Sequence, residues 1–280
     1  PRRLGQALYF PNEVAFSAIP DDVSATFTEY GTAILNIARD SGEGSDINAA
    51  GSDTVDGSYL SLSENELSVM RGLTALKQAG KINKIIVLLN SSATIQLDFL
   101  EEKDIDIDAC LWIGNVGKSG INAVAKVLSG EYVPSGKLTD TYLFDNFSSP
   151  AMKQQLFNDG YVFMRQYDGA DRLADTSQMY YGVYTEGIYV GYRYYETRYT
   201  DYVTGRENTG EYEYSADVAY PFGYGMSYTD FSYESFEVTY NTSAREYTVE
   251  LTVKNIGDSY SGKQVAEVYL QKPYNPENGI

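Results

Sequence analysis

The pattern of apolar and polar positions changes character along this chain. From Thr32 to Gly130, short apolar runs alternate with stretches in which apolar residues recur every three or four positions. Ala33 to Ala38, Lys84 to Asn90 and Ile107 to Ile113 have the length and content of buried strands. Leu67, Met70, Leu73 and Leu76 lie at helical spacing and end at Gly80. Ser63, followed three residues later by Glu66, predicts a capping box that starts this helix, with Leu62 and Leu67 as its hydrophobic staple. Ile95 to Glu102 predicts a short helix. Gly117 to Leu128 predicts a longer one, with Ile121, Val124, Ala125 and Leu128 on one face and Gly130 closing it. Strands that alternate with helices make a parallel sheet covered by helices.

Pro134 to Leu138 ends that pattern. A polar stretch then runs to about Gly225 and holds most of the 27 tyrosines. A structureless segment of such length is unusual within a compact domain, so this arm is expected to wrap over another surface. Tyrosine suits that role because its ring packs while its hydroxyl stays hydrogen-bonded. From Phe231 the period becomes two: Phe231 to Tyr240, Glu246 to Asn255 and Gln264 to Gln271 read as successive antiparallel strands. A β-sandwich needs roughly seven strands, so this is the beginning of one. The expected class is α/β, parallel-rich, followed by a partial all-β sandwich. The expected divisions are 1–148, 149–228 for the arm, and 229–280. Residues 1–28 show no clear period.

Composition narrows the chemistry. The formal charge is −18, which repels phosphates and argues against nucleic acid or an anionic membrane surface as partners. There is no histidine, which excludes a Ser-His-Asp or Cys-His site and a His-ligated zinc within the chain. Cys110, the single cysteine, cannot form an internal disulfide and is expected as a buried, inert thiol. Pro1-Arg2-Arg3-Leu4 leads into no signal-peptide core, which favours a cytoplasmic protein. Asp104, Asp106 and Asp108 alternate with isoleucine and read as an exposed strand face rather than a cation site.

The stretch that carries chemistry is Ser41-Gly42-Glu43-Gly44-Ser45-Asp46, directly after the first predicted strand. It puts a carboxylate at the carboxyl edge of a parallel sheet, where ligands bind in open α/β folds. The flanking glycines let another surface approach closely. Glu43 is the candidate acid/base. A solvated acidic turn is the ordinary alternative for such residues.

Four blocks of this sequence resemble glycoside hydrolase family 3, the β-glucosidase family. They are Ser41 to Asp46; Gly117 to Gly130 running into Pro134 to Leu138; Glu186 to Tyr195; and Tyr220 to Thr229 followed by Val253 to Gly257. Their order and the matching strand and helix pattern make the resemblance specific from about Thr32 onward. It implies a flavodoxin-like α/β sandwich, a connecting arm and the start of a fibronectin type III-like domain, with a (β/α)₈ barrel lying outside this chain. It further implies a retaining, exo-acting β-glucosidase whose nucleophilic aspartate lies on that barrel and whose acid/base is Glu43. Asp46 is assigned to hydrogen bonding within the loop or to a sugar hydroxyl, and Gly44 and Ser45 stand with it as substrate-binding positions. Ile47 departs from the family, which often has arginine there. The expected partners are β-glucosides or cello-oligosaccharides and the barrel domain, with a homodimer compatible with the pattern. No metal or cofactor is required. The alternatives are a β-xylosidase or α-L-arabinofuranosidase of the same family, or a non-catalytic sugar-binding or scaffold module.

Overall fold

The structure is a computed structural model that describes residues 13–39, 57–152, 186–206 and 210–270, together with the backbone of 165–166 and 180–181. The chain divides into two compact units. One comprises Pro1–Gly117 and Thr141–Tyr220, the other Lys118–Asp140 and Pro221–Ile280.

The first unit is built on a parallel sheet. Strands β1 (Thr32–Ala38), β2 (Lys84–Asn90) and β3 (Ala109–Trp112) lie in the order β1-β2-β3. Thr32 pairs with Lys84 and Ala38 with Asn90, so the two longer strands run in register to their carboxyl ends. β2 is central, and Ile85, Val87, Leu88 and Leu89 are all buried. Among the described residues β1 is an edge strand, and it behaves differently from the fully buried strand that its apolar run predicts. Ile37 is buried, while Ile34 is 52% exposed. An edge strand with one covered face alternates, whatever its composition. β3 is the other edge. Cys110 on it is exposed, which corrects the buried thiol expected from its apolar neighbours.

Helix α2 (Glu64–Gln78) packs against β2. Its covered stripe is Glu66, Leu67, Met70 and Thr74, at the spacing of one helix face. The capping box forms as expected: Ser63 Oγ accepts from the Glu66 amide, and Glu66 Oε2 accepts from the Ser63 amide at 2.7 Å. A short helix α1 (Asp21–Ala25) precedes β1. The predicted helix over Ile95–Glu102 is a single 3₁₀ turn, Asp98–Glu101, with Phe99 buried. The Asp104–Asp108 stretch is an ion-paired face. Arg71 reaches Glu102 at 2.8 Å and Asp104 at 2.7 Å, while Lys77 reaches Asp106 at 3.0 Å and Asp108 at 2.8 Å.

The tyrosine-rich arm contributes order to the same unit. Strands β4 (Tyr142–Leu143) and β7 (Val218–Tyr220) pair antiparallel, as do the two-residue strands β5 (Arg165–Gln166) and β6 (Tyr180–Tyr181). Helix α4 (Tyr192–Val203) and the short α5 (Tyr214–Asp217) flank β7's approach. A small core joins Leu143, Tyr195 and Val218, with Tyr194 and Tyr214 packed against it. Arg198 stands over the Tyr212 ring, 4.2 Å from its centroid, and donates to the Tyr194 hydroxyl one helical turn away.

The second unit contains helix α3 (Gly117–Leu128, found as predicted) from Lys118 onward, and the hairpin of β8 (Phe231–Asn241) and β9 (Glu246–Asn255). Phe236 faces Leu251, Val238 faces Val249 and Tyr240 faces Tyr247 across the ladder. Gln264 to Leu270 carry the alternation of a third strand but join no ladder among the described residues. Gln264 lies beside β8 through its side-chain amide, 3.1 Å from the Tyr233 hydroxyl, rather than through its backbone. Alternation fixes which side chains share a face; it does not supply a backbone partner.

Candidate functional site

The carboxyl edge of the parallel sheet gathers Arg39 after β1, Ser91 after β2 and Gly114 after β3. Ser91 is buried; its carbonyl accepts from Trp112 Nε1 at 2.8 Å, which joins the ends of β2 and β3. Arg39 is the centre of the opposite side of this edge. Its amide continues the parallel ladder, donating to the Asn90 carbonyl at 3.3 Å.

The Arg39 guanidinium is 6% exposed and uses all five of its donors. Nη1 and Nη2 form a fork with the Glu66 carboxylate at 2.7 and 2.8 Å. Nε donates to the Tyr59 carbonyl at 2.6 Å, Nη2 to the Ser61 carbonyl at 2.6 Å and Nη1 to the Ala38 carbonyl at 2.9 Å. The Tyr59 ring also lies against it, 5.5 Å from Cζ to centroid. Burial alone would lower the guanidinium pKa. The hydrogen bonds and charge of Glu66, with Glu13 and Tyr59, hold it above its ordinary value. Planar, bidentate pairing of this kind is what arginine provides and lysine does not.

Glu66 therefore serves two structures at once, the cap of α2 and the counter-charge of Arg39. A second carboxylate stands close by. Glu13 accepts from Ser63 Oγ at 3.2 Å, and its backbone carbonyl accepts from Asn65 Nδ2 at 3.0 Å. Burial, then the Glu66 charge, raises the Glu13 pKa.

Around this clamp the chain leaves β1 and returns to α2. The intervening residues 40–56 include Glu43, Gly44, Ser45 and Asp46, and these four, with Ile47, lie outside the described residues. What is described is the pair of ends. Arg39 and the 59–61 segment are joined by one guanidinium, and Gln96 donates its counterpart bond to the second end, from its amide to the Leu60 carbonyl at 2.8 Å. Sequence reasoning passed over Arg39. The available signal was a charged residue directly after an apolar strand, which must meet a counter-charge if buried.

The third sequence block, with its tyrosines around 189–195, divides in two. Tyr195 is buried in the arm's small core, while Ile188, Tyr189 and Val190 are exposed. Among the described residues no group of three or more acidic or sulfur side chains could hold a metal ion, and no helix is long and apolar enough to cross a membrane.

A parallel sheet whose first strand is joined through Arg39 to a capped helix defines an α/β domain. Residues 12–192 match the glycosyl hydrolase family 3 C-terminal domain, and the chain belongs to that family. It is 33% identical over 86% of its length to a β-glucosidase of Ruminococcus albus, covering 20% of that protein. It is 30% identical over 97% of its length to β-glucosidase A of Butyrivibrio fibrisolvens, covering 31% of it. Among solved structures it resembles β-glucosidase 3B of Thermotoga neapolitana in complex with α-D-glucose, with a TM-score of 0.60 at 26% identity, over 92% of this chain and 29% of that one. The chain thus spans less than a third of these relatives.

Proposed function

We propose that this chain supplies the general acid/base half of a retaining, exo-acting β-glucosidase, and that Glu43 is the proton donor. The observation that carries the reading is positional. In a chain of family 3, the Ser-Gly-Glu-Gly-Ser-Asp stretch leaves the carboxyl edge of the parallel sheet directly after β1 and Arg39. The substrates are terminal β-D-glucosyl residues of cello-oligosaccharides or glucosides, and the nucleophilic aspartate is contributed by a (β/α)₈ barrel domain. Residues 1–148 form the α/β domain, 149–228 the arm, and 229–280 the start of a fibronectin type III-like domain.

In the first step the barrel aspartate attacks the anomeric carbon, the glycosidic bond breaks, and the Glu43 carboxyl gives its proton to the departing oxygen. In the second, Glu43 as carboxylate takes a proton from water, whose oxygen attacks the anomeric carbon and releases the aspartate. The two carboxyl groups work roughly 5 Å apart. The first step requires a protonated Glu43, and burial or a neighbouring carboxylate is what raises a carboxyl pKa for that role. Asp46 is assigned to hydrogen bonding within the loop or to a sugar hydroxyl, with Gly44 and Ser45 beside it as substrate-binding positions.

The test is Glu43→Ala in the complete enzyme. Hydrolysis of phenyl β-D-glucoside should fall by about 10²-fold or more, since a positioned acid contributes 10²–10⁴. A 2,4-dinitrophenyl glucoside, whose leaving group needs no proton, should form the glycosyl-enzyme at close to the original rate. Added azide should restore turnover by replacing water. Unchanged kinetics on the phenyl glucoside would refute the assignment.

A further inference from the structure

We infer that Arg39, held by Glu66, is a positioning residue for the acid/base loop; this rests on the reading of Glu43 as proton donor. The observation is the convergence of five donors on one buried guanidinium. It binds the carbonyl before the segment at Ala38, and two carbonyls after it at Tyr59 and Ser61. Its remaining donors grip Glu66, the third residue of α2, whose helix is packed on β2. The departure point and the return point of the chain are thus fixed to each other and to the sheet by a single planar group. Glu43 follows Arg39 by four residues. A proton donor carried on such a segment takes its position from the two ends that anchor it.

The fork geometry explains why the anchor is arginine. Lysine would place one charge near Glu66 but could not bind the carboxylate bidentately and three carbonyls besides. Arg39 touches no substrate in this scheme. It acts through the loop.

Two variants of the complete enzyme test this, Arg39→Met and Glu66→Gln, with Glu43→Ala in parallel. Glu66→Gln keeps an oxygen for the Ser63 amide and removes the charge that Arg39 needs, so it decides the matter if Arg39→Met does not fold. The readout is kcat/KM on phenyl β-D-glucoside against 2,4-dinitrophenyl β-D-glucoside. A misplaced acid slows only the substrate that requires the proton. We expect the phenyl to dinitrophenyl ratio to fall by about tenfold or more, since a misplacement near 1 Å can cost about 10²-fold. A merely structural role would lower both rates together by reducing the active fraction, leaving the ratio unchanged. An unchanged ratio in the folded variants, with a changed ratio in Glu43→Ala, overturns the positioning role and leaves the proton donor in place. An unchanged ratio in Glu43→Ala overturns both.

Discussion

Glu66 shares one carboxylate between the Arg39 guanidinium, at 2.7 and 2.8 Å, and the amide of Ser63, also at 2.7 Å. The pair is almost fully buried, at 6% and 2% side-chain exposure. Removing one partner strands the other charge in the interior. Glu66→Ala should therefore destabilise the chain by about 3–5 kcal/mol, to which loss of the cap contributes. The check is urea unfolding followed by the fluorescence of Trp112. The double variant Arg39→Met with Glu66→Leu should lose less than Glu66→Ala alone, because neither buried charge remains.

Gly72 and Phe16 meet where the segment before β1 crosses α2. A methyl group at Gly72 would fall on the Phe16 ring, and the Phe16 amide binds Ser68 Oγ at 3.2 Å on the same helix. Alanine is the better helix former by about 1 kcal/mol, so propensity predicts that Gly72→Ala stabilises. Overpacking typically costs about 1–3 kcal/mol, and the close approach should win. A lowered urea midpoint is the expected result. It should be relieved in part by Phe16→Ala in the same chain.

Much of the fold is written locally. Lys84–Asn90, Gly117–Leu128 and Glu246–Asn255 coincide with their predicted limits, and Ser63 with Glu66 forms the capping box that the spacing announces. What the sequence conceals is pairing. Nothing near Arg39 names Glu66, 27 residues away, as its partner, because the capping box already accounts for that glutamate. The exposure of Ile34 and Cys110 follows from strand order, which apolar runs do not encode. Helix α4 was hidden by its tyrosines, which are middling helix formers and carry no clear period; its Tyr194–Arg198 contact becomes visible only with the helix. Glu43 was legible as chemistry from its glycines and its place after a strand, while its geometry lies outside the described residues.

The pH dependence of stability should carry two opposed contributions. The Asp108 pKa is lowered, first by its hydrogen bond with Lys77 and then by the Ile85 amide, which donates to it at 2.8 Å. A folded pKa below the unfolded one means the stabilisation is present above the unfolded pKa of about 4 and is lost as pH falls through the folded value. Glu13 has the reverse sign. Burial and the Glu66 charge raise its pKa, so its contribution is full below the unfolded value and is lost as pH rises through the folded one. Asp108→Asn should therefore flatten the acid side of the stability profile. Glu13→Gln should raise stability at neutral pH relative to mildly acidic pH. Urea midpoints measured from pH 3 to pH 8 check both signs.

Arg245 closes the β8–β9 hairpin with φ at 57°, the single positive value outside glycine among the described residues. The turn is otherwise organised by Asn241, whose Oδ1 accepts from the Ser243 and Ala244 amides at 3.0 Å each. Beside it the Tyr240 and Tyr247 rings stack across the ladder with centroids 4.6 Å apart. A left-handed conformation costs an L-residue with a Cβ about 1–2 kcal/mol, whereas glycine enters it freely. Glycine also gives the unfolded chain more freedom, which offsets part of the gain. Arg245→Gly should leave a net stabilisation below about 1 kcal/mol, and Arg245→Val, β-branched at the same position, should destabilise. The measurement is amide hydrogen exchange in β8 and β9. Slower exchange in the glycine variant and faster exchange in the valine variant is the expected order; equal exchange in all three would mean the turn does not limit hairpin opening.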